Sequence, residues 1–291
     1  MAEISSAPGR VAVIGGGRMG AGIAQVWLAA GAAVAVVEAG PDAARAARQR
    51  IQDGLAEAQR RGKLSEPVDV AIGRLTILGS AGDLDRATDL VVEAVPERPE
   101  LKATVLGAAE SAVGPDTVLA TNTSSLSVTE LAAALRRPDR FLGLHYFNPV
   151  PASRLVEVVV AAGSDPAVVE TAAGWIGGIG KTAIVVNDRP GFASSRLGVL
   201  LGLEAIRMLE EGVADAAAID TAMELGYRHP MGPLRSTDLV GLDVRLAIAE
   251  YLHGTLGDRF APPQLLRDKV AAGELGRKTG RGFYSYDDGD R

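Results

Sequence analysis

The sequence predicts an α/β protein, a doubly wound parallel sheet followed by an all-helical domain. Three observations carry this reading. Short apolar runs alternate with helical stretches through the first two thirds of the chain, the runs are continuously apolar rather than alternating, and the β signal stops at Asn187-Asp188-Arg189-Pro190-Gly191. Continuous runs suit strands buried on both faces, as in a parallel sheet with helices on each side. The domain boundary is placed there, giving units 1–188 and 189–291.

Each element has a local reason. Arg10 to Ile14 is a β-branched run that stops at Gly15, and Met19 to Ala30 then carries helix formers up to Gly31. Val34 to Val37 is a second strand, ending in Glu38, and Pro41 to Arg61 reads as an exposed amphipathic helix with proline in its first turn. Strands are expected at Leu75 to Leu78, Leu90 to Ala94, Val118 to Ala120 and Phe141 to Leu144, with helices at Pro99 to Ala112 and Ser127 to Leu135. Two more strands, Val156 to Val160 and Ala183 to Val186, flank a helix at Pro166 to Ile176.

Beyond residue 191 the chain reads as helices, apart from a short β-like tail at Phe283 to Tyr286. Ser194 to Glu211 carries two apolar stripes, one of Leu197, Leu201 and Met208 and another of Val199, Leu203 and Ile206. Such a helix is either the centre of one core or a dimer seam. The seam is preferred, because a small helical domain has few other ways to cover both stripes.

Composition narrows the function. The 291 residues are 47% hydrophobic, enough for a substantial core, and 30 Lys+Arg against 36 Asp+Glu leave a net charge of -6, with no positive field for nucleic acid. The absence of cysteine excludes disulfides and thiolate chemistry, and His145, His229 and His253 are too scattered to suggest a zinc site, so no metal is expected. MAEISSAPGR lacks a basic segment followed by an apolar one, and no apolar run approaches the roughly 18 to 20 residues that span a bilayer. A cytoplasmic location without membrane contact is the expectation.

The first strand, turn and helix contain Gly15-x-Gly17-x-x-Gly20, and an acidic residue, Glu38, ends the second strand. In this context the glycines allow a tight turn, close approach of backbone to a pyrophosphate and close helix packing, while the helix N-terminus offers unpaired N–H groups. The sheet is therefore expected to be of Rossmann type. Glu38 can accept hydrogen bonds from ribose hydroxyls and would repel a 2′-phosphate, which favours NAD over NADP.

His145 ends an apolar strand and Glu157 begins the next, twelve residues on, with the turn Val150-Pro151-Ala152 midway. If that turn reverses the chain, the two face one another. An imidazole beside a buried carboxylate is the arrangement of a general base, and a purely structural pair has the same spacing. Thr121-Asn122-Thr123-Ser124-Ser125 follows a strand, where an open α/β sheet faces its ligand crevice. Capping of the next helix accounts for Ser125 and Ser127 but poorly for Asn122 and Ser124.

These residues carry a resemblance. The chain resembles the L-3-hydroxyacyl-CoA dehydrogenase family, its short-chain members in particular, over essentially its full length. Eight segments match in order: Val13 to Gln25, Val91 to Lys102, Thr121 to Leu126, Gly143 to Pro149, Leu155 to Val158, Asp188 to Phe192, Met231 to Leu234 with Asp238 and Gly241-Leu242-Asp243, and Gly276 to Tyr284.

The resemblance implies NAD as cofactor and an acyl-CoA substrate whose 3-hydroxyl loses its proton to His145 while hydride passes from C3 to the nicotinamide. It implies that Glu157 orients His145, that Ser124 hydrogen-bonds the reacting oxygen, and that Glu97 and Lys102 lie near the nicotinamide ribose. Met19 and Asn122 join the cofactor contacts. From spacing alone, Glu97 and Lys102 would be a surface charge pair. Two departures stand out: Ser195, which the resemblance places beside the substrate as a positioning side chain, precedes Arg196 where the family usually has asparagine, and Gly54 and Arg61 stand where serine and lysine are typical. Arg60, Arg61 and Lys63 would meet the CoA phosphates, or are simply a solvated helix end. Rival readings are a dehydrogenase of a free hydroxy acid, such as a sugar acid or carnitine, and a crystallin-like structural protein that keeps NAD binding. The intact Ser124, His145 and Glu157 argue against loss of chemistry.

Overall fold

The structure, a computed structural model, describes residues 7–286. Residues 1–6, on which the expectation about a leader largely rests, lie outside them. The chain divides into two compact units between Arg189 and Pro190.

The first unit contains, in order, β1 Arg10–Ile14, α1 Arg18–Ala29, β2 Ala33–Val37, α2 Pro41–Arg60, α3 Val68–Ile72, β3 Leu75–Leu78, β4 Leu90–Glu93, α4 Pro99–Ala112, β5 Val118–Thr121, α5 Val128–Ala132, β6 Phe141–Tyr146, β7 Leu155–Val160, α6 Pro166–Gly178 and β8 Thr182–Asn187. The strands form one sheet in the order β3-β2-β1-β4-β5-β6-β7-β8. Every neighbouring pair is parallel except β6 with β7. β4, β5 and β6 are buried along their whole length, which is what their continuous apolar runs require. The order reverses between β1 and β4, so a crevice opens beyond the carboxyl ends of these two strands.

Three elements differ from the sequence expectation. Helix α3 was not legible, because five residues rich in Val and Ile show no helical period. α5 is shorter than the expected Ser127 to Leu135, with the Ser127 hydroxyl accepting from the Glu130 amide at 3.2 Å as its N-cap. Phe283 to Tyr286 makes no strand. There the Phe283 and Tyr284 amides donate to the buried Asp238 carboxylate at 2.8 and 2.9 Å, leaving only isolated bridges. Burial raises the Asp238 carboxyl above its ordinary value, against the donors that lower it.

The second unit holds α7 Ser194–Glu210, α8 Ala216–Gly226, α9 Pro233–Val240, α10 Leu242–Leu256 and α11 Gln264–Ala271. Its core is built from Val199, Leu203 and Ile206 of α7 with Ile219, Leu234, Leu242, Leu252 and Phe260. Of the other stripe of α7, Leu197 and Leu201 stay outside, 62% and 42% exposed, while Met208 packs against the core. Among the described residues no helix is long and apolar enough to cross a membrane.

Candidate active site

β1 ends at Ile14, and Gly15 turns the chain with a φ of 97°, its amide donating to the Val37 carbonyl at 2.9 Å. A side-chain carbon on Gly20 would lie 1.7 Å from the Gly15 carbonyl oxygen, so only glycine lets α1 start this close to the turn. Around Gly17 the space is open: nothing lies within 4 Å of where a Cβ would point. Gly17 is also the N-cap of α1 and has no side-chain cap, so the partial positive end of the helix faces that space. The turn thus fits a pyrophosphate. Met19 is half-buried and packs on the sheet core.

Glu38 follows β2, and its Oε1 accepts from the Gly16 amide at 2.6 Å. This anchors the carboxylate to the glycine turn and leaves Oε2 for a further donor.

Glu93 ends β4, level with Ile14 of β1 and Thr121 of β5. It is fully buried and accepts from Lys102 Nζ at 2.8 and 2.9 Å, from the Val95 amide at 2.6 Å and from the Thr121 hydroxyl at 2.7 Å. Lys102 is 1% exposed and also meets Glu97 at 3.1 Å. The spacing suggested a surface pair, but Lys102 is buried against Glu93, and of the three charges only Glu97 reaches the surface. A charged side chain inside the apolar run Leu90 to Ala94 was the signal for Glu93, and it went unused.

Glu97 in turn organises the loop after β5. Its Oε1 accepts from the Thr123 hydroxyl at 2.5 Å, the Ser124 amide at 2.9 Å, and the Ser125 amide and hydroxyl at 3.2 and 3.1 Å. Burial raises its carboxyl, but the Lys102 ammonium and these donors outweigh that and hold it below the usual carboxylate range. Asn122 points elsewhere: its Oδ1 accepts from the Tyr146 amide at 2.8 Å, tying the loop to the end of β6 directly after His145.

β6 and β7 form the antiparallel pair, with His145 opposite Glu157. Their side chains meet at 2.7 Å between Nδ1 and Oε2, the imidazole 8% and the carboxylate 0% exposed. A carboxylate can only accept, so Nδ1 carries the proton and Nε2 is the nitrogen able to take one up. The Phe147 ring lies 4.5 Å from the imidazole, centroid to centroid.

The turn between the two strands is held from below by Lys181, which donates to the Val150 and Ser153 carbonyls at 2.6 and 2.5 Å. Burial pushes the Lys181 ammonium pKa down. No pattern in the sequence marks this lysine. The turn also touches α1, where a side-chain carbon on Gly22 would fall 2.9 Å from Val150 Cβ.

The glycine turn, Glu38, the Glu93–Lys102–Glu97 cluster, the Ser124 loop and the His145–Glu157 pair thus share one edge of the sheet. Arg61 and Lys63 sit at the exposed end of α2, where Arg61 Nε donates to Glu57 at 2.5 Å. Gly54 faces α1, and a Cβ there would lie 2.3 Å from the Gln25 amide oxygen. Ser195 is the second residue of α7, in the helical unit. Among the described residues no His, Asp or Glu cluster could hold a metal ion.

Comparison with known proteins places this geometry. Residues 10–189 match the family "3-hydroxyacyl-CoA dehydrogenase, NAD binding domain" and residues 191–286 match "3-hydroxyacyl-CoA dehydrogenase, C-terminal domain". The chain is 42% identical over 281 residues to the probable 3-hydroxybutyryl-CoA dehydrogenase of Bacillus subtilis, covering 96% of this chain and 98% of that one. It is 43% identical over 288 residues to the 3-hydroxybutyryl-CoA dehydrogenase of Mycobacterium tuberculosis, covering 97% and 100%. The crystal structure of (S)-3-hydroxybutyryl-CoA dehydrogenase from Ralstonia eutropha superposes with a TM-score of 0.91 at 38% identity, over 97% of this chain and 100% of that one. Matched in both units and over nearly the full length of its relatives, the chain belongs to the 3-hydroxyacyl-CoA dehydrogenase family and is an NAD-dependent oxidoreductase of 3-hydroxyacyl-CoA thioesters.

Proposed function

We propose that the protein oxidises short-chain (3S)-3-hydroxyacyl-CoA, 3-hydroxybutyryl-CoA above all, to the 3-ketoacyl-CoA, with His145 as general base. The observation that carries this is the buried 2.7 Å contact between His145 and Glu157 on the same sheet edge as the glycine turn. NAD, when bound along Gly15, Gly17 and Gly20, supplies the acceptor for the hydride leaving C3. His145 Nε2 takes the 3-hydroxyl proton, and Glu157 keeps Nδ1 protonated and stabilises the imidazolium that results. Ser124 donates to the reacting oxygen, its loop fixed by Glu97. Glu97, itself held by Lys102, together with Glu38, Met19 and Asn122, positions the cofactor.

The unit 1–188 is the NAD-binding part in this reading, and 189–291 is a helical substrate and dimerisation domain. The exposed Leu197 and Leu201 stripe supports the dimer. Arg61 and Lys63 stand ready for CoA phosphates at the end of α2, and a cytoplasmic location, where NAD and CoA thioesters are both available, belongs to the same proposal. The test is NADH formation with 3-hydroxybutyryl-CoA, with longer 3-hydroxyacyl-CoA thioesters, and with free 3-hydroxybutyrate, gulonate and carnitine. The short thioester should give the highest kcat/KM; faster turnover of a free acid would overturn the assignment.

Two further expectations arise here. Wild type should prefer NAD to NADP, and Glu38→Ala should narrow that preference, because the carboxylate that excludes a 2′-phosphate is gone. Equal use of both cofactors by wild type would remove that role from Glu38. Ser195→Ala should lower kcat/KM by roughly 1 to 2 kcal/mol, the scale of a lost hydrogen bond, and leave the pH profile in place. A shifted kinetic pKa would instead couple Ser195 to the base.

A further inference from the structure

Arg50, midway along α2, has no part in the reading above. Its Nη1 donates to the Gly16 carbonyl at 3.3 Å, while Glu38 Oε1 accepts from the amide of the same residue at 2.6 Å. Two side chains of opposite charge thus hold the glycine turn at one residue. α2 comes this close because position 16 has no side chain: a Cβ there would lie 2.4 Å from Ala47 Cβ and 3.1 Å from Glu38 Cγ. Ala47 precedes Arg50 by three residues, on the same face of the helix.

The contact leaves most of the guanidinium unused. Arg50 is exposed, and of the five N–H donors of an arginine only one is taken by Gly16. Among the described residues it pairs with no carboxylate, unlike Arg45 and Arg60 of the same helix. Glu38 faces the adenosine ribose in the reading above and also occupies the Gly16 amide. Without its carboxylate, the same place would offer a free backbone N–H and a guanidinium with spare donors, a donor set suited to a phosphate.

We propose that Arg50 is a second cofactor-specificity residue, a guanidinium placed for the 2′-phosphate of NADP and opposed by Glu38. This rests on the reading of the glycine turn as the NAD site with Glu38 at the ribose. Preference for NAD is then a balance between repulsion from Glu38 and attraction to Arg50. In wild type the repulsion wins, because the carboxylate carries the same sign as the phosphate and already holds the amide that the phosphate would need. Arginine suits this position better than lysine would, since its planar fork can hold Gly16 with one N–H and present others to a phosphate.

The experiment measures dissociation constants of NADH and NADPH by nicotinamide fluorescence, and of adenosine 5′-monophosphate and adenosine 2′,5′-bisphosphate by calorimetry. The proteins are wild type, Arg50→Met, Glu38→Ala and the double variant. Arg48→Met is the control: it removes the same charge from an exposed site on α2, and residues two apart on a helix do not share a face. Glu38→Ala should bind NADPH about tenfold more tightly than wild type, and adding Arg50→Met should reverse that gain about tenfold, the scale of a charge-assisted hydrogen bond. In the wild-type background Arg50→Met should weaken NADPH by a smaller factor and leave NADH unchanged. The two adenosine probes should follow the same order, which locates the effect at the 2′-phosphate. Equal binding of NADH and NADPH by wild type would overturn the role of Glu38 and this proposal with it. A clear NADH preference, with NADPH binding by Glu38→Ala that Arg50→Met leaves unchanged or that Arg48→Met lowers as much, would overturn the role of Arg50 alone. So would a loss of NADH binding in Arg50→Met equal to the loss of NADPH binding, since Arg50 would then only brace the glycine turn.

Discussion

His145→Gln lowers kcat by about 10²- to 10⁴-fold while NADH binding is retained, the range a positioned general base contributes. Glutamine preserves much of the side-chain volume on β6 but has no nitrogen able to take up a proton, so the alcohol must lose its proton to water. Glu157→Gln acts on the same unit by a different route. The amide oxygen still accepts from Nδ1 across the strand pair, but the full negative charge that stabilises the imidazolium is gone from a site that is 0% exposed. The double variant therefore costs far less than the product of the two single effects, because a carboxylate has nothing to stabilise once the imidazole is gone. Stopped-flow turnover at saturating substrate, with NADH binding followed by fluorescence, provides the measurement. Near wild-type turnover for His145→Gln would reduce the pair to a structural contact.

Lys102→Met destabilises the protein by about 3 to 5 kcal/mol in chemical denaturation, the cost of leaving buried charge uncompensated. Its ammonium lies between Glu93, which is fully buried, and Glu97, and methionine leaves both carboxylates facing one another's field without a cation. Adding Glu93→Gln to Lys102→Met recovers part of the loss, since the amide oxygen still accepts from Val95 or Thr121 while the buried charge disappears. The single variant also raises KM for NAD, because Glu97 loses the partner that holds it against the Ser124 loop. A loss below about 1 kcal/mol would mean that water or a rearranged Glu93 neutralises the cluster without Lys102.

How much of this was legible before the fold was known depended on the range of the interaction. The glycine turn was readable because its requirements are local: a positive φ at Gly15 and no side chain at Gly20 are imposed by neighbours a few residues away. The facing of His145 and Glu157 was readable from the turn midway between them, which fixes the antiparallel register by simple reflection. α3 and the non-strand at Phe283 to Tyr286 were not, since the first is too short for a period and the second has its amides taken by Asp238 from a helix 45 residues earlier.

By itself, then, the sequence determined the alternation of strands and helices, the break near residue 189, the dinucleotide turn and the facing of His145 and Glu157, all of which follow from spacing along one chain segment. The tertiary structure decided which charges are buried and what compensates them. Glu97 and Lys102 looked like a surface pair until Lys102 was buried against Glu93, Lys181 gained its role only when the turn at Val150 settled on it, and Leu197 and Leu201 of α7 were left outside the core while Arg245 was drawn in. Charge compensation at low dielectric is set by neighbours distant in sequence, and the one-dimensional pattern carries no record of them.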